Sequence, residues 1–211
     1  MEPDLSTADT DLGSEEGCVA SAQIDPELST AVHVILRVLG YDLGDANFKK
    51  TPIRVARWLQ EYQAPKDLNE EIEKVLQPVF PSEFDELVMV RDISFTSLCA
   101  HHLLPFRGVA SVGYIPAQGV VGISKLARVA RLCAARATLQ EQITIDIANG
   151  IDRVLRPKGV MVVLQAEHQC MTIRGVRDPG CQTVTSAVRG VFLNNTKGSK
   201  DEFLRLLERR S

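Results

Sequence analysis

The sequence lacks long apolar runs, internal repeats and a strong net charge, and each absence excludes a class of protein. No apolar stretch approaches the roughly 20 residues that a membrane-spanning helix needs, and the N-terminus has neither the basic start nor the apolar block of a secretory signal. We therefore expect a cytoplasmic protein that makes no contact with a membrane. No segment recurs at a fixed period, which argues against a repeat architecture.

Cysteine is also scarce, and its distribution argues against a disulfide framework. The chain has five cysteines, at positions 18, 99, 133, 170 and 181. An odd and widely spaced set is typical of reduced thiols or metal ligands. Cys99 and Cys170 lie close to histidines, whereas Cys18 and Cys133 do not, and we expect these last two to play no part in a site.

The formal net charge of −3 conceals two regions of opposite sign. Residues 1–25 carry seven acidic side chains and no lysine or arginine, which leaves +4 on the rest of the chain. An acidic segment with few large apolar residues is typical of a disordered tail. The remainder is basic enough to favour an anionic ligand but too weakly basic to indicate nucleic acid.

Two helix-start signals mark the region 26–80. Asp25-Pro26 and Thr51-Pro52 each place a capping residue before a proline at the first helical position, and apolar residues follow at helical spacing. A third helix is expected at 69–76, before the prolines at 78 and 81. We interpret 26–80 as an N-terminal helical region.

The segment 81–211 alternates between strand and helix patterns and is the expected main domain. The predicted elements are strands at 87–97 and 108–115, helices at 124–136 and 138–154, strands at 160–170 and 182–192, and a terminal helix at 202–209. Ser124 and Thr138 are the expected N-caps of the two central helices. The ββααββ order predicts an α+β domain whose antiparallel sheet carries helices on one face.

Two cysteines and a histidine form a candidate metal site. Cys99 and His102 lie three positions apart in a predicted turn, where a thiolate and an imidazole can reach one zinc ion. In the third strand, period-two alternation places His168 and Cys170 on the same face. With Cys170 as third ligand, a fourth position stays open for water, which is typical of catalytic zinc. Cys181, in a Pro-Gly turn, is the rival third ligand.

The histidines beside these ligands are candidates for proton transfer. His101 and His168 flank the predicted site, and imidazole titrates near neutral pH. By itself, a cysteine three positions before a histidine is more often a buried thiol beside a surface histidine. The metal hypothesis therefore depends on the distant ligand.

Basic residues form a second candidate site. Ser124, Lys125 and Arg128 lie in the first turn of a predicted helix, where free backbone N–H groups favour an anion. Arg174 and Arg177 follow the metal strand, and arginine pairs well with phosphate oxygens. The set favours a polyphosphate ligand. The alternative is that the helical residues form an ordinary solvated face.

Glu141 has two competing interpretations. It lies three positions after Thr138 and could complete a capping box, which is a purely local role. A buried carboxylate at this place could instead accept two adjacent N–H groups of a purine. Position alone favours the cap.

Several motifs together resemble the GTP cyclohydrolase I family, over about two thirds of the chain from residue 51 to residue 192. The matching stretches are Thr51-Pro52-Ile53-Arg54-Val55-Ala56, Thr96-Ser97-Leu98-Cys99-Ala100-His101-His102, Gly113-Tyr114-Ile115-Pro116, Gly122-Ile123-Ser124-Lys125-Leu126-Ala127-Arg128, Gln140-Glu141-Gln142, His168-Gln169-Cys170 and Arg174-Gly175-Val176-Arg177. The resemblance implies a zinc enzyme that converts GTP to 7,8-dihydroneopterin triphosphate and formate, the first step of folate and tetrahydropterin synthesis.

The resemblance also implies a role for individual residues. The implied zinc ligands are Cys99, His102 and Cys170, the catalytic residues are His101, His168 and Ser124, and the substrate-binding residues are Gln140, Glu141, Lys125, Arg128 and Arg174. The glutamine and glutamate would recognise guanine, the serine would lie near the ribose, and the basic residues would hold the triphosphate.

A tunnelling fold and a ring-shaped homo-oligomer are implied as well. Family members usually form a decamer of two stacked pentamers, with each active site shared between neighbouring subunits. Such closure would cover the open edges of each sheet.

Two departures from the family pattern leave other functions open. Ala100 replaces a common glutamate between the zinc thiolate and the paired histidines, and Arg136-Ala137 replaces the usual Arg-Pro. Loss of a carboxylate beside a metal can change its water and its retention. The alternatives are a catalytically weakened relative that binds a purine or pterin, and an interaction protein with four filled zinc positions.

Overall fold

The computed structural model describes residues 24–208, in two compact units that divide after Arg57. Most of the predicted acidic tail, together with Cys18 and the last predicted helical residue, Arg209, lies outside the described residues. No helix among residues 24–208 combines the length and the apolar character needed to cross a membrane. The domain boundary predicted at residue 81 stays a prediction.

The first unit begins with the predicted proline-led helix. α1 spans Pro26–Val38, and the carboxylate of Asp25 accepts a hydrogen bond from the backbone N–H of Glu27, so the predicted cap is confirmed. After α1, the rings of Tyr41 and Phe48 stack with centroids 4.8 Å apart. The chain then enters α2 (Thr51–Gln60), which starts at the second predicted signal.

The second unit holds the sheet and its helices. Its helices are α3 (Leu68–Leu76), α4 (Ile123–Ala134), α5 (Gln140–Leu155), α6 (Gln169–Thr172) and α7 (Ser199–Glu208), the last preceded by a 3-10 turn (Thr196–Gly198). Its strands are β1 (Phe80–Pro81), β2 (Val88–Cys99), β3 (Pro105–Ile115), β4 (Gly119–Val120), β5 (Ala137–Thr138), β6 (Gly159–His168) and β7 (Thr183–Gly190). The predicted order of two long strands, two helices and two long strands is confirmed.

The main sheet has the order β5-β2-β3-β6-β7. All its long strands run antiparallel, and only the two-residue β5 pairs parallel, with the end of β2. A separate pair, β1 and β4, forms a second small sheet. The predicted α+β class with an antiparallel sheet is confirmed.

The two faces of the sheet are covered differently. Alternate residues of β6, such as Val162 and Leu164, pack in one core with Ile143 and Ile147 of α5. The opposite face carries Met161, which packs in a smaller cluster with apolar residues that include Phe203 of α7. The large central helices therefore share one face, as predicted, while the terminal helix contacts the other.

Both predicted caps of the central helices are wrong. α4 begins after Gly122, and Ser124 lies inside its first turn. α5 begins after Leu139, because Thr138 pairs with Cys99 in the β5–β2 bridge and its carbonyl accepts from the N–H of Ala100 at 3.2 Å. The pairing of a residue with a distant strand cannot be predicted from local cap preferences.

Gly108 lies where β3 passes so close to β6 that no side chain fits. A Cβ there would lie 2.0 Å from the carbonyl oxygen of Gln165 and 2.6 Å from the Cα of Ala166. Because backbone atoms cannot rotate away, Gly108→Ala should lower the free energy of unfolding by about 1–3 kcal/mol, measured by urea denaturation.

The matched control for this substitution is Gly180→Ala. A Cβ at Gly180 would have its nearest neighbour, Asp178 Oδ1, at 3.8 Å, so the change should stay within about 0.5 kcal/mol. Equal denaturation midpoints for the two variants would contradict the close approach of β3 and β6.

Candidate functional site

A tight turn between β2 and β3 brings a thiol and an imidazole together. The N–H of Leu103 donates to the carbonyl of Cys99 at 2.8 Å, and the N–H of Cys99 donates to the carbonyl of Leu104 at 2.9 Å. Leu103 adopts a positive φ of 53°, which closes the turn. The turn leaves Cys99 Sγ 3.6 Å from His102 Nδ1.

The turn carries a group of potential metal ligands. Among the described residues, Cys99, His101 and His102 have ligand atoms that all lie within 4.8 Å of one another. Cys170 lies outside this group, but its Sγ is 3.9 Å from Cys99 Sγ. Two ligand sets are therefore available, one with two imidazoles and one thiol, the other with two thiols and one imidazole.

The distances from Cys99 fit a tetrahedral zinc site. Bond lengths typical of zinc place two sulfurs of one ion about 3.8 Å apart, and a sulfur and a nitrogen about 3.6 Å apart. The observed separations are 3.9 Å for Cys99 and Cys170, and 3.6 Å for Cys99 and His102. Burial and the adjacent Cys99 sulfur raise the pKa of the Cys170 thiol. A bound cation would oppose this effect by stabilising the thiolate.

Cys170 lies in a short helix and not in the predicted strand. β6 ends at His168, and Cys170 lies in the short helix α6 that follows. The predicted strand to residue 170 is therefore too long, and the two side chains do not share a strand face. The change to helix at Gln169 turns Cys170 towards Cys99.

His168 is held firmly at the end of β6. Its ring stacks on that of Phe106 with centroids 4.3 Å apart and planes 6° apart, and the two residues are paired in the β3–β6 register. Its Nε2 lies 2.8 Å from Oε1 of Gln140. Burial lowers the pKa of this histidine, while the charge of Glu141 opposes the shift. A half-buried imidazole with a fixed ring is well suited to proton transfer.

Gln140 and Glu141 lie side by side at the start of α5 but face different surroundings. The side chain of Gln140 is buried, and its amide nitrogen donates to the backbone carbonyls of Leu164 and Thr183. Glu141 is exposed in the first turn. The N-cap of α5 is Leu139, whose side chain makes no hydrogen bond to the helix. A capping box needs Thr138 at the N-cap, so the capping box predicted for Glu141 is wrong.

The predicted anion-binding residues lie on α4 and in the loop that follows α6. Ser124 and Arg128 are exposed on α4, and Lys125 donates from Nζ to the carbonyl of Gln77 at 2.9 Å. The guanidinium of Arg174 lies 2.8 Å from Nε2 of His102, which places a cation directly beside the candidate metal ligands.

Cys133 is buried on α4, where burial raises the pKa of its thiol to about 12, so it is protonated and unreactive at neutral pH. Cys181 is half-buried and is not in the metal-competent group of the described residues. Ala100 is exposed, and Arg136 forms an ion pair with Asp146 of α5.

Sequence reasoning missed the contacts that fix His168. Phe106 lies four positions after His102 and before the strand predicted at 108–115, and no local sequence pattern relates it to His168. The pairing of β3 with β6, which places Phe106 opposite His168, is the signal that could have identified the stacking.

A comparison with known protein families shows the family of this chain. The family model described as GTP cyclohydrolase I matches residues 28–208 of this chain. The chain belongs to the GTP cyclohydrolase I family. All the predicted site residues lie within the matched range, and the ββααββ arrangement is the tunnelling fold expected from the resemblance.

Individual relatives support membership in the GTP cyclohydrolase I family. A protein of Pelotomaculum thermopropionicum named GTP cyclohydrolase 1 is 48% identical over 178 residues, which cover 84% of this chain and 94% of that protein. Proteins of the same name from Geobacillus kaustophilus and Streptococcus mutans are 50% and 43% identical, over 79% and 86% of this chain and 88% and 93% of theirs.

Proposed function

We propose that this protein is an enzyme that hydrolyses and rearranges GTP to 7,8-dihydroneopterin triphosphate, with release of formate. The observation that carries the proposal is the contact of Cys99 with both His102 and Cys170, next to a fixed imidazole, in a chain of the GTP cyclohydrolase I family. The reaction would be the first step of folate and tetrahydropterin synthesis.

Zinc is the proposed metal, held by Cys99, His102 and Cys170. Two thiolates offset the charge of the ion, and the distances from Cys99 suit tetrahedral geometry. When bound there, zinc would lower the pKa of a water molecule enough to provide a nucleophile near neutral pH. In this assignment His101 is free for proton transfer.

The histidines are proposed to move the protons of ring opening. His168 would protonate a nitrogen of the imidazole ring of guanine as its C8–N bonds break, and C8 would leave as formate. His101, exposed beside the ligands, is the second candidate for proton transfer. The ribose would then open, rearrange by an Amadori-type step and close on the freed amine, with Ser124 near the sugar.

Substrate recognition is proposed to combine one carboxylate with a cationic group. The carboxylate of Glu141 would accept the two N–H groups on the pyrimidine edge of guanine, a pairing that adenine cannot reproduce. Lys125, Arg128 and Arg174 would hold the triphosphate. The contact of Arg174 with His102 supports a substrate that spans from the phosphate site to the metal ligands.

A homodecamer with active sites at subunit interfaces is the proposed assembly. Within the described residues, β7 lies at one edge of the sheet, and β2 is covered on its outer side only at Leu98 and Cys99. Exposed strand edges of this length are normally paired or protected. Pairing with neighbouring copies in a ring would cover both edges.

Turnover of GTP by the purified protein tests the proposed function. The zinc-loaded protein should release formate from GTP and give pterin fluorescence after oxidation. Removal of the metal with a chelator should abolish both signals, and added zinc should restore them.

A different outcome would support the second candidate function. Tight binding of GTP or a pterin, with neither formate nor fluorescence, would indicate the catalytically weakened relative that the exposed Ala100 suggests. Full turnover by metal-free protein would contradict the zinc assignment.

A further inference from the structure

The side chain of Gln140 is buried and lies beside His168. It is 1% exposed, although it stands at the first position of α5 beside an exposed glutamate. A group that recognises a base must offer a free donor or acceptor to it. The contacts of the Gln140 amide show that its donors are already used.

The nitrogen of this amide is surrounded by acceptors. Gln140 Nε2 lies 3.2 Å from the carbonyl oxygen of Leu164, 3.0 Å from that of Thr183 and 3.2 Å from Thr185 Oγ1. A backbone carbonyl can only accept, so the nitrogen and not the oxygen of the amide must face β6 and β7. The amide orientation is thus determined by its partners.

The orientation of the amide determines the hydrogen on the histidine. Because the amide nitrogen faces the strands, Oε1 faces His168 Nε2, at 2.8 Å. An amide oxygen can only accept, so Nε2 must carry the hydrogen of this bond. In the neutral ring, Nδ1 is then the nitrogen with a free lone pair.

Further contacts keep the Gln140 amide in place. Thr144 donates from its hydroxyl to the backbone carbonyl of Gln140 at 2.8 Å, and its oxygen also lies 2.6 Å from Thr185 Oγ1. On the other side, Phe106 fixes the plane of the His168 ring by stacking. The ring of His168 therefore has both its orientation and its hydrogen position imposed by buried neighbours.

We infer that Gln140 is a positioning residue that holds His168 with hydrogen on Nε2, so that Nδ1 is the nitrogen that exchanges a proton with the substrate. This inference rests on the proposed function for its chemistry and replaces the expected contact between Gln140 and guanine. Base recognition is left to the exposed Glu141.

Kinetics of the holoenzyme separate positioning from base recognition. Gln140→Met keeps the length of the side chain but removes its hydrogen bonds, and should lower kcat by about 10–100-fold with KM for GTP within about twofold of the parent. A large rise in KM with kcat retained would overturn the inference in favour of base recognition.

Thr185→Val is the matched control, because it tests whether loosening of the hydrogen bonds around the Gln140 amide is enough to lower kcat. It removes a partner of the Gln140 amide without touching His168, and should leave kcat within about threefold of the parent. A loss of kcat equal to that of Gln140→Met would assign the effect to general loosening and would overturn the inference.

Nitrogen NMR provides a readout that does not require turnover. The chain has four histidines, so ¹⁵N-histidine labelling of the zinc-loaded protein gives few signals, and His168→Gln identifies those of His168. The parent should show His168 protonated at Nε2, and Gln140→Met should show a mixture of the two tautomers. An unchanged tautomer in Gln140→Met would overturn the inference, whereas the expected change in a protein without GTP turnover would reject only the proposed function.

Discussion

Replacement of Cys170 by serine is expected to remove zinc from the purified protein and to abolish formate release from GTP. Cys170 Sγ lies 3.9 Å from Cys99 Sγ, at the separation of two sulfurs on one zinc ion. A serine hydroxyl is not ionised near neutral pH and is a poor zinc ligand. Turnover should fall by more than the 10–100-fold typical of residues that only orient a ligand.

Cys181→Ser is the matched control, because Cys181 is the rival third ligand suggested by the sequence. Metal analysis of the two purified variants, together with a formate assay, gives the comparison. Cys181→Ser should keep its zinc and most of its activity. Loss of zinc from the Cys181 variant, with zinc retained in the Cys170 variant, would reverse the assignment.

The second large effect is expected from Glu141→Ala, which should destroy GTP turnover and leave the fold intact. A site built to accept two N–H groups loses on the order of 10⁴-fold in kcat/KM when that pairing is lost. The free energy of unfolding should change by no more than about 1 kcal/mol, since Glu141 is exposed and contributes to α5 only as an acidic residue in its first turn.

The neighbouring Gln142 supplies the control for this effect. Gln142 is also exposed in the first turn of α5, where its amide donates to Asp146 at 2.8 Å. Gln142→Ala should retain GTP turnover, measured by pterin fluorescence. Loss of stability with intact turnover in Glu141→Ala would instead contradict a role of Glu141 in the recognition of guanine.

The arrangement of the main domain was predictable because its periodicities are strong. Long β-branched runs such as those of β2 and β6, and the apolar stripe of α5 through Ile143, Ile147 and Ile151, have one plausible interpretation each. The start of α1 was predictable from a local signal, because Asp25 caps the helix and Pro26 is its first residue. Local signals thus determined the order and type of the elements.

Features that depend on pairing between distant segments could not be predicted in this way. Thr138 has the chemistry of a cap, yet its backbone pairs with β2. Strand alternation was continued to Cys170, although the chain turns into α6 one residue earlier, at Gln169. The bond between Gln140 and His168 joins residues 28 positions apart. The candidate metal ligands were proposed from residue types and spacing and the base-recognition residues from family motifs, whereas the distances among them required the fold.

X-ray absorption spectroscopy at the zinc edge of the purified, full-length protein tests the central claim most directly. Ligation by Cys99, His102, Cys170 and one water predicts two sulfur neighbours at about 2.3 Å and two nitrogen or oxygen neighbours at about 2.0–2.1 Å. A single sulfur neighbour would indicate the Cys99, His101 and His102 group instead. That result, or three or more sulfurs around the ion, would contradict the proposed site.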